Sequence, residues 1–366
     1  MAKTVGNGFL TVIVQYRLGA FGFASSAEIG HFGTPNAGLY DVRLALEWVQ
    51  DYIHLFGDPA RVTIAGESAG GGAVILTAMA NNGSDETSLF QRAIVSSPYL
   101  LTQWNHNDAQ PSQAYYSLAA HAGCMSPAVT KNGSIYDCLK SVDSNTLQNA
   151  SAYASMEGKW GQWVFLPVTD GRLITQRPTE QLLKHSVNGK SILSGNNANE
   201  GTLFVPTDVN TRDQFVSRIK LDYPLLKEEN ITAIMSLYDF ARDPSTETLY
   251  DTNGLTPPFA TSHSGTAKGW LQAAYNLYAE ATFVCPAMWL ADAFARGDSI
   301  SAGQPRSWRC LYSPPPAFHD DDLDVLMKDV HNTNDTDGAD ESVGFRLAFQ
   351  SIWGGFIIDG DPTLTD

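Results

Sequence analysis

The segment that most constrains the fold is a β-branched run that stops at a glycine and turns into small residues. Residues 62–72 read VTIAGESAGGG, and an apolar run follows at 73–76. The pattern predicts a strand, a sharp turn with Ser68 at its apex, and a helix. The spacing Gly66-x-Ser68-x-Gly70 is that of a nucleophile elbow. Because such a turn crowds the strand against the helix, we expect both glycines to be required.

The elbow makes Ser68 a candidate nucleophile and directs the next N–H, that of Ala69, at a developing oxyanion. An ordinary glycine-rich loop and a phosphate-binding loop are the alternatives. A phosphate-binding loop needs Lys beside its Ser or Thr, and no Lys lies nearby. We therefore favour the nucleophile.

Composition narrows the class of protein. The chain has 366 residues, of which 17% are charged and 43% hydrophobic, an ordinary globular balance that can bury a large core. The net charge of −16 argues against a nucleic-acid partner, because phosphate binding needs clustered Lys and Arg. No apolar run approaches the length of a transmembrane segment. No linker interrupts the chain, so we expect one domain over residues 1–366.

The order of elements predicts a parallel sheet with helices on its faces. Apolar, β-branched runs that read as strands alternate with stretches of helical periodicity. The predicted strands are residues 9–16, 61–65, 90–97, 190–195 and 307–312. The predicted helices are residues 36–56, 70–79, about 112–122, about 145–154 and most of 211–300.

A serine nucleophile needs a histidine base, and in sheets of this class the order along the chain is Ser, acid, His. His319 lies between a triple-proline loop and a predicted helix start, which both fix its backbone. His263 and His331 lie in loops without such support. His319 is therefore the favoured base, and a surface histidine is the alternative.

The acid that orients the base has two candidates. Glu200 lies in the loop at the carboxyl end of the predicted strand 190–195. Asp170 lies in a Thr-Asp-Gly sequence that reads equally well as a turn. Spacing favours Glu200 only moderately.

Several ordered motifs resemble the type-B carboxylesterase/lipase family, which includes the cholinesterases, and most closely its fungal branch. Residues 36–49 and 56–71 carry the resemblance, and 92–97, 199–204, 283–286 and 317–319 match later landmarks. The resemblance runs along essentially the whole chain. It implies an α/β-hydrolase fold and the hydrolysis of small-molecule carboxylic esters through an acyl-enzyme. A lipase and a non-catalytic binding domain are the alternatives.

The resemblance also implies roles for individual residues, with no cofactor and no metal. Ser68 is the expected nucleophile, Glu200 the acid and His319 the base, with Ala69 at the oxyanion. Glu67 and Ser97 are expected near the site, and Arg17 and Asp41 in a buried ion pair.

Four cysteines bear on the cellular compartment. Cys124 and Cys138 bracket a short polar loop, and from the residues alone they could be a disulfide or two unrelated thiols. The resemblance implies the disulfide. It leaves open whether Cys285 pairs with Cys310.

Secretion is expected for the full-length parent, although residues 1–6 carry no apolar signal region. Five Asn-x-Ser/Thr sequons support a secretory route: Asn82, Asn132, Asn149, Asn230 and Asn334.

The family's His-Gly-Gly-Gly oxyanion loop and its strand have no counterpart upstream of Phe9. The resemblance puts that strand between 10–16 and 61–65, so its loss would leave a slot in the sheet. The chain also stops shortly before the family's usual final segment. We favour an incomplete version of a secreted esterase; a short protein with weak or no activity, or a strand supplied by another chain, are the alternatives.

Position 320 is Asp where the family commonly has Gly, and Asp321, Asp322 and Asp324 follow. An acid-rich helix start, favoured by the helix dipole, is one interpretation. The other is that these carboxylates favour protonated His319 and shift activity towards alkaline pH.

Overall fold

The computed structural model describes residues 1–100, 102–127, 133–238, 267, 269–295, 307–314, 316–329 and 342–364. Four strands are described: β1 Thr63–Glu67, β2 Arg92–Ser96, β3 Ser191–Asn197 and β4 Ser307–Tyr312. The helices that precede β2 are α1 Gly19–Phe23, α2 Ala27–Phe32, α3 Ala37–Tyr52 and α4 Ser68–Met79. Those between β2 and β3 are α5 Ala109–His121, α6 Ile135–Ser141, α7 Ser144–Met156 and α8 Pro178–Leu182. The later helices are α9 Arg212–Asp222, α10 Glu228–Leu237, α11 Gly269–Ala279, α12 Cys285–Ala295, α13 Asp321–Met327 and α14 Val343–Asp359.

The four strands form one parallel sheet in the order β1-β2-β3-β4. Parallel strands need crossover connections, and the helices between them supply these. β3 is the most buried strand, as expected for a strand covered on both faces. All four strands therefore end at the same edge of the sheet, where the loops that carry Ser68, Glu200 and His319 meet.

The predicted strand at residues 9–16 is wrong. This run lies outside the sheet, and its side chains are largely exposed; Ile13 is 83% accessible. An apolar run becomes a buried strand only where neighbouring backbone can pair with it. Within the described residues β1 is the edge of the sheet, with no strand between it and this run. The expected slot inside the sheet is therefore not observed.

The elbow forms as predicted, but its two glycines are not equivalent. A Cβ at Gly66 would collide with the backbone of Gly70, so the turn requires glycine there. A Cβ at Gly70 would meet no heavy atom within 4 Å. The crowding lies instead at Gly71 and Gly72, where α4 packs on the backbone of Pro98 and Tyr99.

Hydrophobic side chains form separate clusters on the two faces of the sheet. The largest packs α3 and α4 under the sheet, and its fully buried members include Ile75, Leu76 and Met79. A second joins Ile94 and Leu193 to α13 and α14 on the opposite face. The helix predicted at 36–56 is confirmed as α3 followed by a 3₁₀ turn, Ile53–Leu55.

A disulfide joins Cys124 and Cys138 across a sequence separation of 14 residues. A closed loop of this size restricts the unfolded chain and contributes about 3 kcal/mol. Cys285 and Cys310 are both free thiols, which answers the pairing that the sequence left open.

The ion pair expected between Arg17 and Asp41 forms, with 2.7 Å between Nη2 and Oδ1. It is not buried, because the side chain of Arg17 is 55% exposed. The pair therefore contributes little to stability. Among the described helices, none is long and apolar enough to cross a membrane.

Candidate active site

Ser68 lies at the end of β1 and the start of α4, with a φ of 52° that L-residues rarely adopt. Such strain persists only where the surrounding structure imposes it. Here the backbone of Gly66 in the strand lies against the backbone of Gly70 in the helix, and this close packing holds the turn. The side chain is consequently held out from the carboxyl end of the sheet, where the Ser68 hydroxyl lies 2.8 Å from Nε2 of His319.

His319 lies in the loop between β4 and α13, and its side chain is 4% exposed. Its backbone is fixed through its neighbours: Asn199 pairs with Phe318, and the Asn199 N–H donates to Ala317. Nδ1 lies 2.5 Å from Oε2 of Glu200. A carboxylate at Nδ1 requires the hydrogen there, so the unprotonated Nε2 accepts the Ser68 hydroxyl.

Glu200 is fully buried in a 3₁₀ turn, Glu200–Leu203, that directly follows β3. Its Oε1 accepts hydrogen bonds from the Ser97 hydroxyl and from the backbone N–H of Asn197. Its Oε2 faces His319. These bonds offset the cost of burying a carboxylate. Ser97, expected near the site, contacts the acid directly.

A second carboxylate, that of Asp322, is buried behind the first. It accepts hydrogen bonds from the Ser96 hydroxyl and from the Asn197 side chain, at 2.9 Å for the latter. The Asn197 amide also donates to Ser97 at 3.2 Å, so it links the two carboxylates. Sequence reasoning missed Asn197 and placed Asp322 in an acid-rich helix start. The sequence did offer one signal for Asn197. Two adjacent Asn residues follow the predicted strand, and the second of them lies three residues before the acid.

The net effect of these neighbours raises the pKa of His319 above its usual value. Burial of the imidazole lowers the pKa, but the hydrogen bond and charge of Glu200, with the charges of Asp320 and Asp322, outweigh it. This direction agrees with the expectation that the acidic cluster favours protonated His319.

Glu67 faces the same imidazole from the other side, with Oε1 3.2 Å from Nε2 of His319. Burial, then a hydrogen bond with Asp320, raises the pKa of Glu67 to about 10. Asp320 adopts a φ of 79° and has Oδ1 3.7 Å from Nε2 of His319. Glu67 is therefore near the site as expected, and its raised pKa favours its protonated form at neutral pH.

Two aromatic rings pack on the imidazole and shield it from water. The ring centroids of Phe283 and His319 are 4.6 Å apart, and those of Phe204 and His319 are 5.0 Å apart in an edge-to-face arrangement. Phe283 lies in a π-helical segment, Glu280–Val284, between α11 and α12. Such segments are rare and occur mostly at functional sites. The sequence marked residues 283–286 as a family landmark, but no pattern indicated the π-helical turn or the contact of Phe283 with His319.

A cavity of about 670 Å³ opens at Ser68 and Ala69. Its walls are mainly apolar and aromatic and include Leu76, Trp163 and Phe165. Trp163 lies edge-to-face on Tyr99, with 5.0 Å between ring centroids. The candidate nucleophile thus lines a space that suits an apolar group.

The alternative acid, Asp170, is remote from this arrangement. Its carboxylate accepts from Asn36 and from the backbone of Arg172 and Ile174, as a turn residue does. The alternative bases, His263 and His331, lie outside the described residues.

The carboxylesterase family's sequence pattern matches residues 3–365. Among solved structures, EstA of Aspergillus niger is similar at 25% identity with a TM-score of 0.74, over 95% of this chain and 64% of EstA. The α/β-hydrolase fold expected from the sequence is therefore confirmed.

Curated relatives carry the names of lipases, esterases and cholinesterases. Lipase 2 of Geotrichum candidum is 32% identical over 64% of this chain and 43% of its own length. Cholinesterase 2 of Branchiostoma lanceolatum is 28% identical over 79% of this chain and 80% of its own. The inactive carboxylesterase-like protein VdtD of Byssochlamys spectabilis is 27% identical over 78% of this chain and 47% of its own. The chain spans about half the length of most of these relatives.

Proposed function

Because the chain belongs to the carboxylesterase family, we propose that it is a serine hydrolase that cleaves carboxylic esters through an acyl-enzyme. The observation that carries the proposal is the hydrogen-bonded series from Ser68 to His319 to Glu200, at 2.8 and 2.5 Å. Nucleophile, base and orienting acid within hydrogen-bond reach are what acyl transfer needs.

In the proposed reaction, Nε2 of His319 takes the Ser68 proton while Oγ attacks the ester carbonyl. Glu200 stays ionised and stabilises the imidazolium through Nδ1–H. His319 then protonates the leaving alcohol, and a water activated by the same nitrogen hydrolyses the acyl-enzyme.

Charge on the tetrahedral oxygen needs hydrogen-bond donors. Ala69 lies in the first turn of α4, where backbone N–H groups have no partner within the helix. Its N–H is therefore available beside Ser68, and we assign it to the oxyanion.

The cavity at Ser68 is proposed to hold the acyl group. Ser68, Gly72 and Leu76 line it at intervals of four residues along one face of α4. Leu76 is about 12 Å of helix from Ser68, a length that an extended acyl chain covers with roughly nine carbons. Esters of medium-length acids are the substrates that this space fits.

Hydrolysis of p-nitrophenyl esters from acetate to palmitate tests the activity and this substrate class together. We expect kcat/KM to be highest near octanoate and decanoate. Trp163→Ala should lower kcat/KM for octanoate about tenfold and for acetate much less, because it removes apolar surface from the cavity wall and a longer acyl chain contacts more of that wall. Trp48→Ala, an exposed tryptophan outside the cavity, is the control. No hydrolysis of any ester would contradict the activity, and equal losses for both esters would contradict the assigned cavity.

The acidic cluster should set the acid side of the pH profile. The base must be neutral to accept a proton, so kcat/KM rises as pH passes the pKa of His319, which Asp320 helps to raise. Asp320→Gly should therefore lower that pKa and extend activity to more acidic pH. Glycine suits the φ of 79° at this position. Asp324→Asn is the control, and identical wild-type and Asp320→Gly profiles would refute the role.

A non-catalytic binding domain is the alternative, and the inactive relative VdtD gives it a precedent. Here the hydrogen-bonded series is intact, which favours the hydrolase. A lipase acting on long-chain esters is the other alternative, and the ester series distinguishes it.

We further propose one domain in a parent protein that is secreted and glycosylated. The three described sequons, Asn82, Asn149 and Asn230, are all exposed, so each could be modified. The disulfide is also typical of an oxidising compartment.

A further inference from the structure

We propose that Glu67, His319 and Asp320 form an inhibitory site for a divalent transition-metal ion of the Zn²⁺ type. Each residue offers one donor atom, and the three atoms lie within 4.8 Å of one another. Imidazole nitrogen and carboxylate oxygen are the ligands that zinc prefers besides thiolate. The site would overlap the candidate base, so its occupation would regulate the activity proposed above.

The spacing of the donor atoms suits a small metal ion. Bonds of 2.0–2.1 Å in a tetrahedral site put neighbouring ligand atoms about 3.3 Å apart. Nε2 of His319 is 3.2 Å from Oε1 of Glu67 and 3.7 Å from Oδ1 of Asp320. The side chain of Asp320 is 60% exposed, so it can rotate to bring Oδ1 from 3.7 Å to the separation from Nε2 that a tetrahedral site needs.

One of these atoms has no partner in the described structure. Oε1 of Glu67 is buried from solvent and receives no hydrogen bond. Neutral His319 carries its hydrogen on Nδ1, so the adjacent Nε2 cannot donate to it. A buried carboxyl oxygen without a hydrogen-bond partner is costly, and a cation between Glu67 and His319 would satisfy it.

The third ligand, Asp320, directly follows His319 in the chain, and its carboxylate lies beside the same imidazole nitrogen as Glu67. The left-handed backbone at Asp320 accompanies the approach of its carboxylate to the imidazole. The other two ligands are fixed by the elbow and by Glu200, so the site needs little reorganisation.

Coordination would block catalysis by a defined exchange of bonds. The Nε2 lone pair that accepts the Ser68 hydroxyl would bind the metal, and Ser68 would lose its base. Glu67, whose pKa is about 10, would release its proton to solvent as the metal binds, and no electron is transferred. Inhibition should therefore be reversed by a chelator.

The first experiment measures inhibition of ester hydrolysis by ZnCl₂, at a pH where His319 is neutral in every variant. We expect micromolar Zn²⁺ to inhibit the wild type, EDTA to restore it, and Asp320→Asn to raise the inhibition constant at least about tenfold. Asp324→Asn removes a nearby carboxylate outside the cluster and should leave the constant unchanged. Equal inhibition of the wild type and Asp320→Asn would overturn the proposal, as would no inhibition at millimolar Zn²⁺.

A second readout does not depend on activity. The Ser68→Ala protein keeps all three ligands, and titration with Co²⁺ should give visible absorption bands typical of four or five ligands. The bands should be lost when Asp320→Asn is added. Co²⁺ bands without any ester hydrolysis by the wild type would support the metal site and refute the proposed function. A chain that hydrolyses esters without such bands would refute the site.

Discussion

Replacing Ser68 with alanine is expected to lower kcat/KM for ester hydrolysis by about 10⁴–10⁶-fold, because no other group can form the acyl-enzyme. The residual rate would come from binding and from the oxyanion donor. A fluorophosphonate probe should label the wild type at this single serine and leave Ser68→Ala unlabelled, as judged by mass spectrometry of the labelled peptide.

The matched control for this experiment is Ser141→Ala, which changes an exposed serine of α6. It should keep both labelling and turnover. Labelling of Ser68→Ala at another serine, with turnover retained, would show that the nucleophile is wrongly assigned.

Replacing Glu200 with glutamine is expected to lower kcat by about 10³–10⁴-fold with a small change in KM. The amide NH₂ can donate to Nδ1 of His319, which favours the tautomer with its hydrogen on Nε2, and that tautomer cannot accept the Ser68 proton. In the opposite orientation the NH₂ would face the Ser97 hydroxyl and the Asn197 N–H. Both of these groups donate to Glu200 in the wild type, so that orientation would bring donors together and is disfavoured. Steady-state kinetics across pH measures the loss.

Two controls separate this effect from misfolding. Glu157→Gln removes an exposed carboxylate and should leave kcat within twofold, while the melting temperature of Glu200→Gln reports its fold. A folded Glu200→Gln protein with kcat within tenfold of the wild type would remove Glu200 from the mechanism.

The sequence predicted the parts of the fold that depend on local pattern. The elbow, α3, β3 and β4 follow from periodicity and from residues with special backbone preferences. The order along the chain restricted the choice of Ser68 and His319, and the family resemblance favoured Glu200 over Asp170. The structure brings the three side chains within hydrogen-bond distance. Their roles stay predictions.

The misses share a cause, because each depends on what lies beside a residue in space. Residues 9–16 have the composition of a strand but no strand to pair with in the described structure. Gly70 matches the motif but faces open space. Asn197 and Asp322 meet across 125 positions of sequence, so no local pattern could indicate their contact.

The free edge of β1 has a consequence for how the protein behaves at high concentration. Along this strand, backbone N–H and C=O groups on one side are unpaired within the described residues, and the apolar run at 9–16 lies exposed. A strand edge of this kind is a template on which another chain can add. Solubility at high concentration is therefore expected to depend on this edge more than on global unfolding. A strand paired with β1 would protect the protein from edge-to-edge association and would leave the chemistry at Ser68 unchanged.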